Sequence, residues 1–288
     1  MDQKQQIMLK KDSSDLIKTA LFIPAIAGAY VIFALFTVIP NLLRTNHFEV
    51  PALLGNLLII PASWLYVRFL DRSINHIELK NFFPNPLRCL NAIGLAVIIA
   101  CSIFFFSLIL VAIILDVRVV INTDTTLKSC ISVFLTSLIV AFYEELFFRG
   151  FIFVTLYKVT HSFWLSLVVS SVLFAGLHNL SNNGQFFALN FAHVLIGSIV
   201  IGGLFFYYGN LWGPIVLHAL FNILNNLDIF RFQEFRIGGQ QMITFMGTGI
   251  QIVLFSVFMI YLFSRLTTHD SRLTVHGTRI TRHESRIT

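Results

Sequence analysis

Two adjacent carboxylates, Glu144 and Glu145, and a guanidinium, Arg149, stand in the stretch YEELFFRG, between the apolar runs SVFLTSLIVAF and FIFVTLY. A charge at mid-membrane depth costs at least about 2.5–3.5 kcal/mol, and such groups face a bundle interior or a wet cavity. Glu145 and Arg149 are four residues apart, one turn on one helix face, and can neutralise each other. Glu144 points about 100° away from Glu145 on a helix and is free to meet something else. A buried ion pair that holds helices in place accounts for Glu145 and Arg149 but not for Glu144. Further polar groups recur downstream. His178 closes FAGLH, His218 and Asn222 lie one turn apart in HALFN, and Asn190 and His193 lie three apart. A lone histidine in a helix is more often a packing residue, and His193 is read as one. Glu144, His178, His218 and Asn222 form a set able to activate water and stabilise an oxyanion, since their segments belong to a run joined by short loops and are neighbours in space.

Those segments have the composition of membrane spans. The 288 residues are 56% hydrophobic and 12% charged, with mean hydropathy +0.80. A soluble domain carries about 25% charged residues. The expected fold class is all-α, a polytopic membrane helix bundle of about eight transmembrane helices. The apolar runs put the spans at 19–43, 52–70, 91–115, 129–157, 162–178, 185–208, 211–227 and 242–263. Pro61 sits inside the second, and the fourth is long enough to tilt or to pass the bilayer edge. The first run, at about 25 residues, exceeds the h-region of a signal peptide and is read as a retained span.

Charge sets the expected orientation. With eight spans both termini share one side, and that side holds fourteen Lys and Arg against five on the other. Both termini are therefore expected in the cytoplasm, and a site cavity reached from the cytoplasmic side is expected with them. The net charge of +6 is a topological signal rather than a nucleic-acid footprint, with lipid headgroups as its secondary partner. Cys89, Cys101 and Cys130 have no framework spacing.

The chain divides into a polar cytoplasmic N-terminus (1–18), three N-terminal spans with their loops (19–128), a helix core bearing the polar set (129–227), a loop with the last span (228–264), and a basic, disordered cytoplasmic tail (265–288). The segment NHIELKNFFPNPLRC between the second and third spans is read as a loop because of Pro84 and Pro86.

EELFFRG, then FAGLH, then GSIVIGGLFFYYGNLWGPIVLHALFN, in that order, resemble the CPBP (Abi) family of intramembrane endopeptidases, whose best-known members are the type II CAAX prenyl endopeptidases. The family pattern is a glutamate pair with an arginine four residues after the second, then Phe-x-x-x-His, then His-x-x-x-Asn or Asp. Glu144, Glu145, Arg149, Phe174, His178, His218 and Asn222 match it. The resemblance covers roughly 130–227 and implies peptide hydrolysis within the membrane. Glu144 would be the general base, and His178 would help to hold and deprotonate the water. His218 and Asn222 would bond the oxyanion, and Glu145 with Arg149 would position the site. No cofactor is expected. Zinc held by Glu144, His178 and His218 is the less favoured alternative, since the His-x-x-x-Asn pairing suits hydrogen-bond donation and no short-spaced metal motif is present. The implied partners are a peptide or membrane-protein substrate and the bilayer, in the plasma membrane if the chain is bacterial. A second reading is a non-catalytic membrane protein of the same fold, acting in self-immunity against a secreted peptide or as a scaffold. A proton-relay transporter ranks last, without an inverted repeat or paired broken helices.

Overall fold

A computed structural model describes residues 50–70, 82–179, 186–227, 229–233 and 239–284, with residues 24, 27, 28 and 31 besides. The expected first span, 19–43, and the N-terminal stretch 1–18 therefore fall almost wholly outside the described residues. The described chain is mostly helical, as a bilayer demands of backbone that must satisfy its own polar groups. It runs α1 (Val50–Leu70), a 3₁₀ turn (Pro86–Cys89), α2 (Leu90–Leu115), β1 (Arg118–Ile121) and α3 (Leu127–Glu145). A π-helical segment (Leu146–Phe153) then leads into α4 (Val154–Thr160), α5 (Phe163–Asn179), α6 (Phe187–Tyr208), α7 (Trp212–Asn226), β2 (Phe230–Gln233) and α8 (Gly239–Glu284).

Among the described residues, four stretches are long and apolar enough to cross a membrane: Leu90–Leu115, Leu127–Thr160, Phe187–Tyr208 and Gln241–Ser264. Phe163–His178 is a shorter apolar helix. Their outer faces are as greasy as their inner ones. On α2 the small side chains Ala92, Ala96 and Ala100 are buried, while Ile98, Phe106, Ile109 and Ile113 are exposed. Such a surface suits hydrocarbon rather than water, as in an integral membrane protein.

Local chemistry sets the breaks. The Thr126 hydroxyl caps α3 by accepting from the Ser129 N–H. Asp116 ends α2 in the left-handed region at φ 50°. Gly209 ends α6 at φ 63°, its N–H donating to Phe205 O. The Asn210 side chain then accepts from the Trp212 N–H, and Pro214 in the first turn of α7 lacks only a hydrogen that would go unused there. Pro61 lies inside α1 without ending it.

Two departures from the sequence expectation stand out. The fold is not purely α: β1 and β2 pair antiparallel, Arg118 opposite Gln233 and Ile121 opposite Phe230. Both segments are short and β-branched or aromatic, and each lies between spans where backbone partners are needed. In addition, α8 continues to Glu284, through the segment expected to be a disordered tail; no proline interrupts 239–284.

The helices pack so that α7 sits centrally, against α2, α3 and α6, with α5 and α8 against α6. The ribbon joins the α2–α3 and α7–α8 connections at one end of the bundle. At the other end the Leu211 N–H donates to Phe82 O and the Trp212 indole to Pro84 O, which ties the segment before α2 to the α6–α7 connection.

Candidate active site

The run LFFRGFIF that follows the two glutamates is π-helical and wholly buried. Such segments are rare and gather at functional sites. It opens where α3 ends, the Leu146 N–H reaching both Phe142 O and Tyr143 O. Glu145 and Arg149 are 0% and 1% exposed, and Arg149 Nη1 donates to Glu145 Oε1 at 2.8 Å. Nη2 of the same guanidinium donates to the carbonyl and the hydroxyl of Ser198 on α6, at 2.9 and 2.8 Å. Arg149 also lies over the Phe174 ring, 4.8 Å from its centroid. The expected ion pair is thus present, extended by a serine that the sequence reading left aside.

The pair does not stand apart from Glu144. His218 on α7 reaches both glutamates: Nδ1 lies 2.8 Å from Glu145 Oε1, and Nε2 lies 3.7 Å from Glu144 Oε2. Neighbouring carboxylates that diverge by about 100° on a helix can meet one imidazole because its nitrogens sit on different edges of the ring. His178, in the last turn of α5, presents Nε2 to the same Glu144 oxygen at 3.4 Å, while its Nδ1 bonds Phe174 O at 3.0 Å. The Tyr143 hydroxyl donates to Glu144 Oε1 at 3.4 Å. Glu144 Oε2 is buried and makes no hydrogen bond among the described residues.

The phenylalanine of Phe-x-x-x-His has a visible task. The Phe174 ring lies 4.3 Å from the His178 ring and 5.7 Å from that of His218, with Phe148 edge-on at 4.9 Å. It holds both imidazoles at fixed angles and gives Arg149 a π face.

A small cavity of about 120 Å³ opens on the cluster, bordered by His178, His193, Ser198, His218, Asn222 and Phe255 among others. That is room for a few waters. Asn222 borders it one turn beyond His218, as the His-x-x-x-Asn spacing requires. Glu144 lies behind the two rings. Of the six residues expected from the sequence, five are linked by direct contacts, and Asn222 shares the cavity wall with the two histidines. His193, read as a packing residue, borders the cavity too: its ring packs against those of Phe221 and Phe255, and its Nε2 is buried without a hydrogen bond among the described residues. The spacing Asn190–His193 was the only signal for it.

Hydrogen-bond logic constrains the protons. Phe174 O can only accept, so His178 Nδ1 carries hydrogen. Glu145 Oε1 already accepts from Arg149, so His218 Nδ1 carries hydrogen as well. Two neutral imidazoles would then aim lone pairs at a carboxylate oxygen. A water molecule or a shared proton among the three would satisfy them. The donor types would suit zinc, but no group of three His, Cys, Asp or Glu among the described residues is spaced to hold a metal ion.

Residues 126–224 match the family model of type II CAAX prenyl endopeptidase Rce1-like proteins. The matched stretch runs from the cap of α3 into α7 and contains the whole cluster. No curated protein matches the chain.

Proposed function

We propose, from an Rce1-like segment that points to a protease, that this chain is a membrane-embedded endopeptidase that hydrolyses peptide bonds with a glutamate-activated water. The observation that carries the reading is the buried Glu144 Oε2, without a hydrogen bond among the described residues and flanked by the Nε2 atoms of His178 and His218. Water held there loses a proton to Glu144 as its oxygen attacks the scissile carbonyl carbon, and His178 Nε2 accepts its other hydrogen and orients it. The oxyanion takes a hydrogen bond from the Asn222 amide and one from His218 Nε2. For the latter His218 must be an imidazolium, and Glu145 on Nδ1 stabilises that form, as a carboxylate does in a serine-protease triad. Glu144 then passes its proton to the leaving amine as the C–N bond breaks. An oxyanion donor of this kind is worth about 2.7–4 kcal/mol.

Zinc dependence is the competing chemistry, because each imidazole is anchored through Nδ1 as metal ligands commonly are. No step here uses a metal, and chelation distinguishes the two chemistries.

The proposal keeps eight crossings with both termini in the cytoplasm, the helix core at 129–227 and a peptide or membrane-protein substrate. That orientation turns the ribbon end of the bundle away from the cytoplasm. His178 and Asn222 lie toward the C-terminal ends of α5 and α7, at that same end. The orientation thus argues for approach from the non-cytoplasmic face, against the cytoplasmic access expected earlier, and the two expectations exclude each other.

The decisive experiment uses the detergent-purified full chain with prenylated and unprenylated peptide pools. The wild type is expected to cleave, and Glu144→Gln, His178→Ala and His218→Ala to lose at least about a hundredfold in kcat/KM. Equal cleavage by the variants removes the assignment. No cleavage by any form favours a scaffold or immunity role. Activity lost on chelation and restored by zinc replaces the water-and-carboxylate mechanism with a metal one.

A further inference from the structure

A second and larger cavity, of about 570 Å³, lies between α2, α7, α8 and β2. Its volume is within the usual range of ligand sites, roughly 300–1,000 Å³. Polar groups are built into its wall where apolar ones would cost less. Gln251, the one amide in the otherwise greasy stretch 242–264, is 8% exposed. Its Nε2 donates to Asn225 Oδ1 at 3.2 Å and reaches Ser107 Oγ at 3.5 Å, so α8, α7 and α2 are joined by one polar layer. Thr248 borders the cavity one turn-fraction away, and Arg231, which meets Asp124 at 3.4 Å, stands at its rim.

Phe230, Arg231 and Phe232 all border this cavity. Successive side chains of a strand point to opposite faces. Three consecutive residues bordering one space fit a strand that meets it along an edge. The other edge of β2 is occupied by β1, and the described sheet has only these two strands. An open strand edge accepts an extended polypeptide through main-chain hydrogen bonds.

The two cavities are neighbours. Asn222 borders the small one and Asn225, three residues on along α7, the large one; Phe255 and Gln251, four residues apart, do the same on α8. One helical turn is about 5.4 Å and an extended chain advances about 3.3 Å per residue, so about two residues bridge the gap. The small cavity has room for water and a carbonyl but not for the chain that carries it.

We infer that the large cavity is the polypeptide-docking subsite. The substrate segment flanking the scissile bond lies there in extended form, as a third strand on the free edge of β2, with its amides bonded by Gln251, Asn225 and Ser107. This rests on the peptidase reading. It gives the substrate class as an extended, unfolded polypeptide segment rather than a helix or a lone C-terminal residue.

The test separates docking from chemistry. The purified full chain is offered a dodecapeptide pool bearing a photoreactive benzophenone, and the tripeptides made from the same residues. Capture is read by mass spectrometry of the labelled protein, and hydrolysis by release of amine. Photolabel is expected on β2 and on α8 near Thr248, in the wild type and equally in Glu144→Gln. Gln251→Leu and Asn225→Leu are expected to raise KM for the dodecapeptides about tenfold, the loss of about 1.4 kcal/mol of binding, with kcat and tripeptide cleavage unchanged. A purely structural layer would instead lower thermal stability and affect both peptide lengths alike. Cleavage without label in the cavity, or with unchanged KM in the variants, overturns the docking subsite alone. Label in the cavity with no cleavage by any form overturns the peptidase reading and leaves the docking site standing. Neither label nor cleavage overturns both.

Discussion

One oxygen of Glu145 receives hydrogen bonds from Arg149 and from His218. An acceptor shared by a guanidinium and an imidazole fixes which nitrogen of His218 faces Glu144. Glu145→Gln leaves Arg149 without its counter-charge in a fully buried place. The expected cost is about 3–5 kcal/mol, as for other broken buried pairs, read as a fall in the thermal unfolding midpoint in detergent. Ser198→Ala removes only one of two bonds to Nη2, because the Ser198 carbonyl stays, and should cost about 1 kcal/mol. Similar losses in both variants would show that the network is held elsewhere. These groups could be read in advance from type and spacing, since a charge in an apolar run has few reasons to be there. Ser198 and His193 could not. A serine and a histidine in a helix are ordinary residues until the neighbouring helix is known to bring a guanidinium, or a cavity, to them.

Among the elements, α6 is the one that lets the others close. A Cβ at Gly202 would lie 2.5 Å from Leu167 of α5, and one at Gly203 would lie 2.7 Å from Leu262 of α8. Leu167 is fully buried, so its side chain must repack against its neighbours to give way. Gly202→Ala is therefore expected to destabilise by about 1–3 kcal/mol through overpacking. Gly249→Ala on α8, where nothing lies within 4 Å, should be neutral or should gain up to about 1 kcal/mol of helix propensity. Unfolding midpoints of the two variants check this, and equal midpoints would refute the close-packing account. The small residues of GSIVIGG thus act within one chain, between its own helices. The π-helical turn after Glu145 had no sequence signal. LFFRGFIF is apolar at nearly every position, so no polar phase marks the change from one helical period to another. The β-ribbon was missed for a related reason: four-residue strands between long apolar runs look like loop.

At the scale of the molecule, sidedness decides which substrates can reach the site. The ribbon joins two connections at one end, and the Phe82–Pro84 contacts with Leu211 and Trp212 join two at the other. On the proposed orientation, argued from Lys and Arg, the ribbon end lies outside. In intact cells, with the native cysteines replaced, Ile121→Cys is expected to react with a membrane-impermeant maleimide and Lys158→Cys only after lysis. The opposite pattern would invert the protein and bring the His178 end back to the cytoplasm.

By itself the sequence determined that the chain is a helical membrane protein with a charged and imidazole-bearing core, because the cost of polar groups in hydrocarbon leaves its mark on composition and spacing. It also marked Glu145 with Arg149 and His218 with Asn222 as pairs on one helix face, through their turn-long separations, while Glu144 and His178 came from unpaired polarity in an apolar run and from the family resemblance. Only the tertiary structure decided that His218 bridges both glutamates, that Ser198 and His193 join them, and that a second polar cavity lies one turn away. Those facts depend on contacts between helices far apart in the chain, and helix-to-helix register is set by packing, which no local pattern encodes.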